Sequence, residues 1–203
     1  MTESLPTRDR IVRAAARLFL ARSYQVVGVN EICAAARVQK GSFYHFFPSK
    51  SDLAIAVIDH HAVALWRILD EFERKRRGPV NKIRATADAV GDIQGRLHSF
   101  FGRVVGCPLG NLAVELATTE DAAGRHVAEV FAEWERRVAG HCHDAAEVGQ
   151  LAADVDPDAL AHQVIATMQG MILLAKVSDT GPEDIPVAMQ RVIDAGLRRG
   201  VAA

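Results

Sequence analysis

The residues best able to do chemistry in this 203-residue chain cluster near its start. Residues 29–50 read VNEICAAARVQKGSFYHFFPSK. Gln39, Lys40 and Ser42 supply donors and acceptors of the kind that read base edges, and Gly41 among them lets a backbone come close to a surface. Tyr44, His45 and Lys50 are donors suited to phosphate oxygens, contacts that set register without reading sequence. The charge distribution agrees. Residues 1–50 hold eight Lys and Arg against three Asp and Glu, a net +5, whereas the remainder holds 16 against 22, a net −6. A basic segment joined to an acidic body points to a polyanion as the partner of the first and not of the second.

Other chemistries find less support. The chain has no GxSxG, HExxH, phosphate-loop or dinucleotide fingerprint, and no nucleophile with an assignable base, so neither catalytic residues nor a cofactor are expected. Cys33, Cys107 and Cys142 are odd in number and lack CxxC spacing, which reads as reduced thiols in a cytoplasmic protein. His141 and His143 diverge by roughly 200° on a helix, and His60 and His61 are adjacent and diverge likewise. His143 and Glu147 share a face but have no evident third ligand, so no metal site is expected. Residues 1–10 are too polar for a secretory signal, and no apolar run approaches the roughly 20 residues that span a bilayer, so no membrane partner is expected.

Helical elements must position these residues. Ile11, Ala14, Ala15, Leu18 and Phe19 recur at helical spacing, as do Val127, Val130, Phe131, Trp134, Val138 and His141, and again Leu160, Val164, Met168, Met171 and Ala175. The seven prolines sit where helices begin or connections lie, Asp156-Pro157 being a capped opening. Only residues 24–29 look β-like. The fold class expected is all-α: short helices over 29–36 and 39–46 around an Arg37-Val38 turn, a helix over about 50–77 stopped by Gly78-Pro79, and further helices near 80–101, 109–118, 122–148, 157–178 and 183–199. Leu18 and Phe19 would pack with Ile32, Val38 and Phe43 in a three-helix core. That is helix-turn-helix geometry, in which the second short helix enters the major groove.

These residues resemble the TetR family over roughly residues 7–57, through Ala14-Ala15, Leu18-Phe19, Glu31-Ile32, Val38, Gly41, Phe43-Tyr44-His45-Phe46 and Ser49-Lys50. The chain departs from the pattern at Ser23-Tyr24, where the family has Gly-Tyr, at Gly28, where it has a Ser/Thr cap, and at Arg37, where it has a turn Gly. The resemblance implies a DNA-binding domain over residues 1–50, a connecting helix over 51–78 and a ligand-binding and dimerisation domain over 79–203. It implies a homodimer, with the last two helices forming a four-helix bundle with their counterparts, and double-stranded operator DNA as partner.

It also implies a small-molecule effector among the middle helices, for which Trp66, His98, Phe101, Cys107, Asn111, Glu115, Phe131, Trp134 and Met168 are candidate lining residues, each of which also fits a plain core role. Cys107, just ahead of a helix start, reads either as a buried inert thiol or as one responsive to electrophiles. The function expected is a sequence-specific transcription regulator, a repressor released when effector binding shifts the helix over 50–77. The rival readings are an enzyme and a helical protein-interaction module that does not bind DNA.

Overall fold

The computed structural model describes residues 5–118 and 121–198. Among these residues it contains nine helices: α1 (Thr7–Ala21), α2 (Val29–Ala36), α3 (Lys40–Phe46), α4 (Lys50–Arg74), α5 (Pro79–Phe101), α6 (Pro108–Leu116), α7 (Asp121–Glu147), α8 (Pro157–Ser178) and α9 (Asp184–Ala195). An isolated antiparallel bridge between Leu151 and Leu197 is the extent of β-structure in the described residues. The fold is all-α, as the helical periodicity requires. The chain forms two compact units. Unit 1 comprises the residues up to Ala64 together with Pro108–Val130, and unit 2 comprises Leu65–Cys107 and the residues from Phe131 onward.

Unit 1 is built on the buried face of α1, where Ile11, Ala15 and Phe19 are removed from solvent, against Ile32 of α2 and Phe43 of α3. Phe43 is fully buried; sealing such a ring contributes about 2–3 kcal/mol. Leu18 and Val38, expected in the same core, are half-buried at its edge. α4 opens on a reciprocal cap: the Ser49 amide and hydroxyl both donate to Asp52 Oδ2, at 2.9 and 2.7 Å, while the Asp52 amide donates to Ser49 Oγ at 3.1 Å. α6 and α7 approach closely enough that a Cβ on Gly124 would meet the Leu116 carbonyl oxygen at 2.8 Å, so only glycine fits there. The β-like stretch over residues 24–29 is a turn leading into α2.

In unit 2, α5 starts at Pro79 after Gly78, whose φ of 79° suits glycine, and α8 starts at Pro157 with the Asp156 carboxylate accepting the Asp158 amide at 3.0 Å. α4 stops at Arg74, one turn earlier than expected. The amides of Lys75 and Arg76 reach back three residues instead of four, and the run of cations from Arg74 to Arg77 gains nothing from further winding. α9 ends at Ala195 because the chain beyond it pairs with residues 150–152 through Ala152 N to Gly196 O at 3.0 Å and Arg198 N to Gln150 O at 2.8 Å. The expected terminus at residue 199 lies outside the described residues.

α8, 22 residues with mean hydropathy 1.3 over its most apolar window, is long and apolar enough by length and composition to cross a bilayer. His162, Gln163, Gln169 and Lys176 break any continuous apolar run along it. About 39% of that window is buried inside the protein, and Leu173, Leu174 and Val177 remain exposed.

Candidate nucleic-acid interface

α3 is a short helix with one buried side chain, Phe43, and a nearly continuous exposed polar surface. Gln39 precedes it in extended conformation, and Gln39, Lys40, Gly41, Tyr44 and His45 are exposed while Ser42 is half-buried. Tyr44 is 47% exposed, its ring edge-on to Phe43 at 5.2 Å with Lys40 Nζ over it at 5.9 Å, so a phenol hydroxyl and an ammonium project side by side. No Cβ placed on Gly41 would meet anything within 4 Å, so that backbone lies open. The groups that sequence reasoning assigned to base edges thus stand together on one helix start, anchored from beneath by a single aromatic plug.

Lys50 behaves differently from the rest of the set. It is half-buried, its Nζ lies 4.3 Å from the centre of the Tyr24 ring and 3.4 Å from the Gln25 carbonyl, and its charge serves the α1–α2 turn. The Tyr24 ring in turn packs edge-on against Phe19 at 5.2 Å.

The α2–α3 turn carries the departure noted at Arg37. That residue adopts a left-handed conformation, φ 55° and ψ 50°, and its amide bonds back to Ala34 O at 3.1 Å while the Val38 amide reaches Cys33 O at 3.0 Å. Glycine normally occupies such a position because a Cβ is strained there. The Arg37 carbonyl is met by Arg10 Nη2 of α1 at 3.1 Å, a bond that fixes the turn without calling on the Arg37 side chain. At Gly28, α2 begins with no side-chain cap. Arg22 and Glu31 form an ion pair between the end of α1 and the first turn of α2.

The candidate effector residues separate into groups. Trp66, Phe131 and Trp134 form an aromatic cluster in unit 2, with Trp66 edge-on to Trp134 at 6.5 Å and Phe131 stacked on it at 6.3 Å. Met168 is fully buried, His98 and Phe101 are half-buried at the end of α5, and Cys107 is buried at the close of the first segment of unit 2. Asn111 and Glu115 lie on α6 in unit 1, and Glu115 is engaged by backbone amides of the α1–α2 turn, Tyr24 at 3.0 Å and Gln25 at 2.9 Å. Sequence reasoning missed Gln94. It is 2% exposed, with Nε2 at 3.5 Å from the Gly106 carbonyl and Oε1 buried without a hydrogen-bond partner among the described residues. Its signal was present in the spacing: Ile83, Ala87, Val90 and Gln94 lie on one buried helical stripe.

Unit 2 also holds a charged cluster that the sequence pattern does not signal. Arg137 donates to Glu73 at 2.8 Å and Asp70 at 2.6 Å, and His141 Nε2 lies 3.2 Å from Glu73. Burial opposes ionisation of Glu73, but bonds from His141 and Arg137 outweigh it and hold the carboxyl at about 2. Two thiols are held protonated: burial, aided by Asp158, pushes Cys142 up to about 12, and burial raises Cys33 against the opposing charge of Lys40. Among the described residues no group of three His, Cys, Asp or Glu side chains could hold a metal ion.

Residues 11–57 match the family described as bacterial regulatory proteins, tetR family, and residues 79–193 match the tetracyclin repressor-like C-terminal domain. The chain belongs to the TetR family. It is 36% identical over 168 residues to the transcriptional regulator AcuR of Cereibacter sphaeroides, covering 82% of this chain and 75% of that one. It is 30% identical over 178 residues to the HTH-type transcriptional repressor DhaR of a Mycobacterium species, covering 85% and 83%. Among solved structures, the regulatory protein TetR from Rhodobacter sphaeroides superposes with a TM-score of 0.80 at 30% identity, covering 95% of this chain and 99% of that one. A TetR regulator from Chloroflexus aurantiacus gives 0.82 at 28% identity, covering 95% and 96%. The protein is therefore a TetR-family DNA-binding transcription regulator, and α2 and α3 are its helix-turn-helix.

Proposed function

We propose that this TetR-family regulator is a homodimeric repressor that leaves its operator when a small molecule occupies unit 2. The observation that carries the DNA half of this reading is the row at the start of α3, exposed Gln39, Lys40 and Tyr44 with half-buried Ser42 among them, raised on a buried Phe43. Gln39, Lys40 and Ser42 would meet base edges, Gly41 would allow the close approach, and Tyr44 and His45 would donate to phosphates. Lys50 contributes charge and steadies the turn beneath.

Support for the dimer comes from α8, where Ala166, Gly170, Leu173, Leu174 and Val177 form an exposed stripe, with Val187 exposed on α9. An apolar stripe of this kind is costly in water and suits a second copy of the same helices. Such a covered stripe accounts for the apolar character of α8 without a membrane and fits a cytoplasmic regulator.

Support for effector binding comes from the aromatic cluster Trp66, Phe131 and Trp134 and from two buried polar atoms, Gln94 Oε1 and Trp134 Nε1, that lack partners among the described residues. A buried polar atom left unpaired costs about 1–3 kcal/mol, which a ligand offering one donor and one acceptor would recover. Only an effector that favours the form not bound to DNA can cause release.

The test is selection of a duplex from a random library by the full-length protein, followed by binding titrations. Tyr44→Ala should weaken all duplexes alike, by roughly five- to tenfold, whereas Gln39→Ala should cost about 1–3 kcal/mol at one base position and relax preference there. A protein that retains no duplex at low salt, where phosphate contacts are strongest, would overturn the reading.

A further inference from the structure

Glu115 spends both carboxylate oxygens on consecutive backbone amides of the α1–α2 turn: Oε1 accepts from Tyr24 N at 3.0 Å and Oε2 from Gln25 N at 2.9 Å. Charge-assisted bonds of this kind are about twice as strong as neutral ones, and two successive amides converging on one anion form a small preorganised nest. Lys50 meets the same turn, over the Tyr24 ring and against the Gln25 carbonyl. α6, which carries Glu115 just before its last residue Leu116, lies against α7 there, where Gly124 comes close to Leu116 O, and it is the first element after the chain leaves unit 2 at Cys107. α6 is therefore bonded through Glu115 to the segment that leads directly into the helix-turn-helix.

We propose that Glu115 is a positioning residue for DNA recognition: from α6 it fixes the α1–α2 turn, and through that turn the placement of α2 and α3. The proposal rests on the DNA-binding reading above. It makes a prediction opposite to simple electrostatics. Glu115 is a negative charge in the unit that meets a polyanion, so on charge alone its removal should tighten DNA binding. A positioning role requires that removal weaken it.

The experiment uses the full-length chain and the duplex selected by the wild type, with Glu115→Gln, Glu115→Ala and, as control, Val114→Ala at an exposed neighbouring position. Glu115→Gln should bind about three- to tenfold more weakly and Glu115→Ala more than about tenfold, with the salt slope unchanged because no phosphate contact is lost. Hydrogen exchange should accelerate at least about tenfold at the Tyr24 and Gln25 amides while the amides of α5 and α8 keep their protection. Should Glu115→Ala fail to fold, Glu115→Gln, which keeps one acceptor, carries the decision. Unchanged or tighter DNA binding in Glu115→Gln, or unchanged exchange at the two amides, overturns the proposal while wild-type binding stands. Loss of protection throughout the chain in both variants overturns it as well, by showing a general structural role. A wild type that selects no duplex removes the DNA reading itself, and the proposal with it.

Discussion

His61 illustrates how a single side chain in the described structure sets a measurable property. Burial, with His60 adding repulsion, lowers its pKa from 6.5 to about 4. Between those two values the unfolded chain takes up a proton that the folded chain refuses, so this contribution to stability is fully present above pH 6.5 and is lost as the pH falls toward 4. Urea unfolding should therefore show the protein about 2 kcal/mol less stable at pH 5 than at pH 7 from this group alone, and His61→Gln should flatten that difference. A pH dependence identical in wild type and variant would refute the assignment. The sequence showed His61 only as one of two adjacent imidazoles, since nothing in its neighbours announces enclosure. Gln94 and Glu115 were obscured for related reasons. A glutamine on a buried stripe breaks the hydrophobic pattern without saying why, and the partners of Glu115 lie 90 and 91 residues earlier in the chain. By contrast the exposed set on α3 could be read directly, because residues seven or fewer apart on a helix share their environment through local geometry.

Helix spacing carries most of the information at the next level. Start signals such as Asp156-Pro157 and Gly78-Pro79 mark α8 and α5 to within a residue, since a proline's fixed φ and missing N–H are local facts. The ends of α4 and α9 were less visible, being decided by a tightening last turn and by pairing with residues 150–152. Arg37 tests the turn between α2 and α3. A left-handed arginine is strained by about 1–2 kcal/mol, and glycine relieves that strain while giving back roughly half through the unfolded chain's added freedom. Arg37→Gly should thus stabilise the protein by about 0.5–1 kcal/mol, and Arg37→Val should destabilise it by a similar amount or more. Thermal melts of both variants decide this. A Gly variant less stable than wild type would mean that the Arg37 side chain makes a contribution beyond its backbone.

For the molecule as a whole, the exposed stripe on α8 makes the clearest demand. Leu174 is 61% exposed and Val177 73% exposed on a helix whose opposite face is buried. Leu174→Glu should convert a dimer into a monomer in sedimentation experiments, with loss of tight binding to a two-half-site duplex and retention of helical content. A variant that still sediments at twice the chain mass would place the dimer seam elsewhere. The proposed pairing of these helices rests on the family resemblance, because an apolar stripe read from sequence looks the same whether it meets its own chain, a second copy or lipid.

Unit 1 is not a contiguous stretch of sequence, since it takes Pro108–Val130 from well beyond α5. Anyone grafting its DNA preference onto a relative by exchanging only the first fifty or eighty residues would leave behind the carboxylate that grips the α1–α2 turn and the Leu112 and Leu116 side chains buried with it. A faithful transplant has to move two separate pieces of the gene at once. A chimera joined at a single point inherits a recognition helix that has lost one of its tethers.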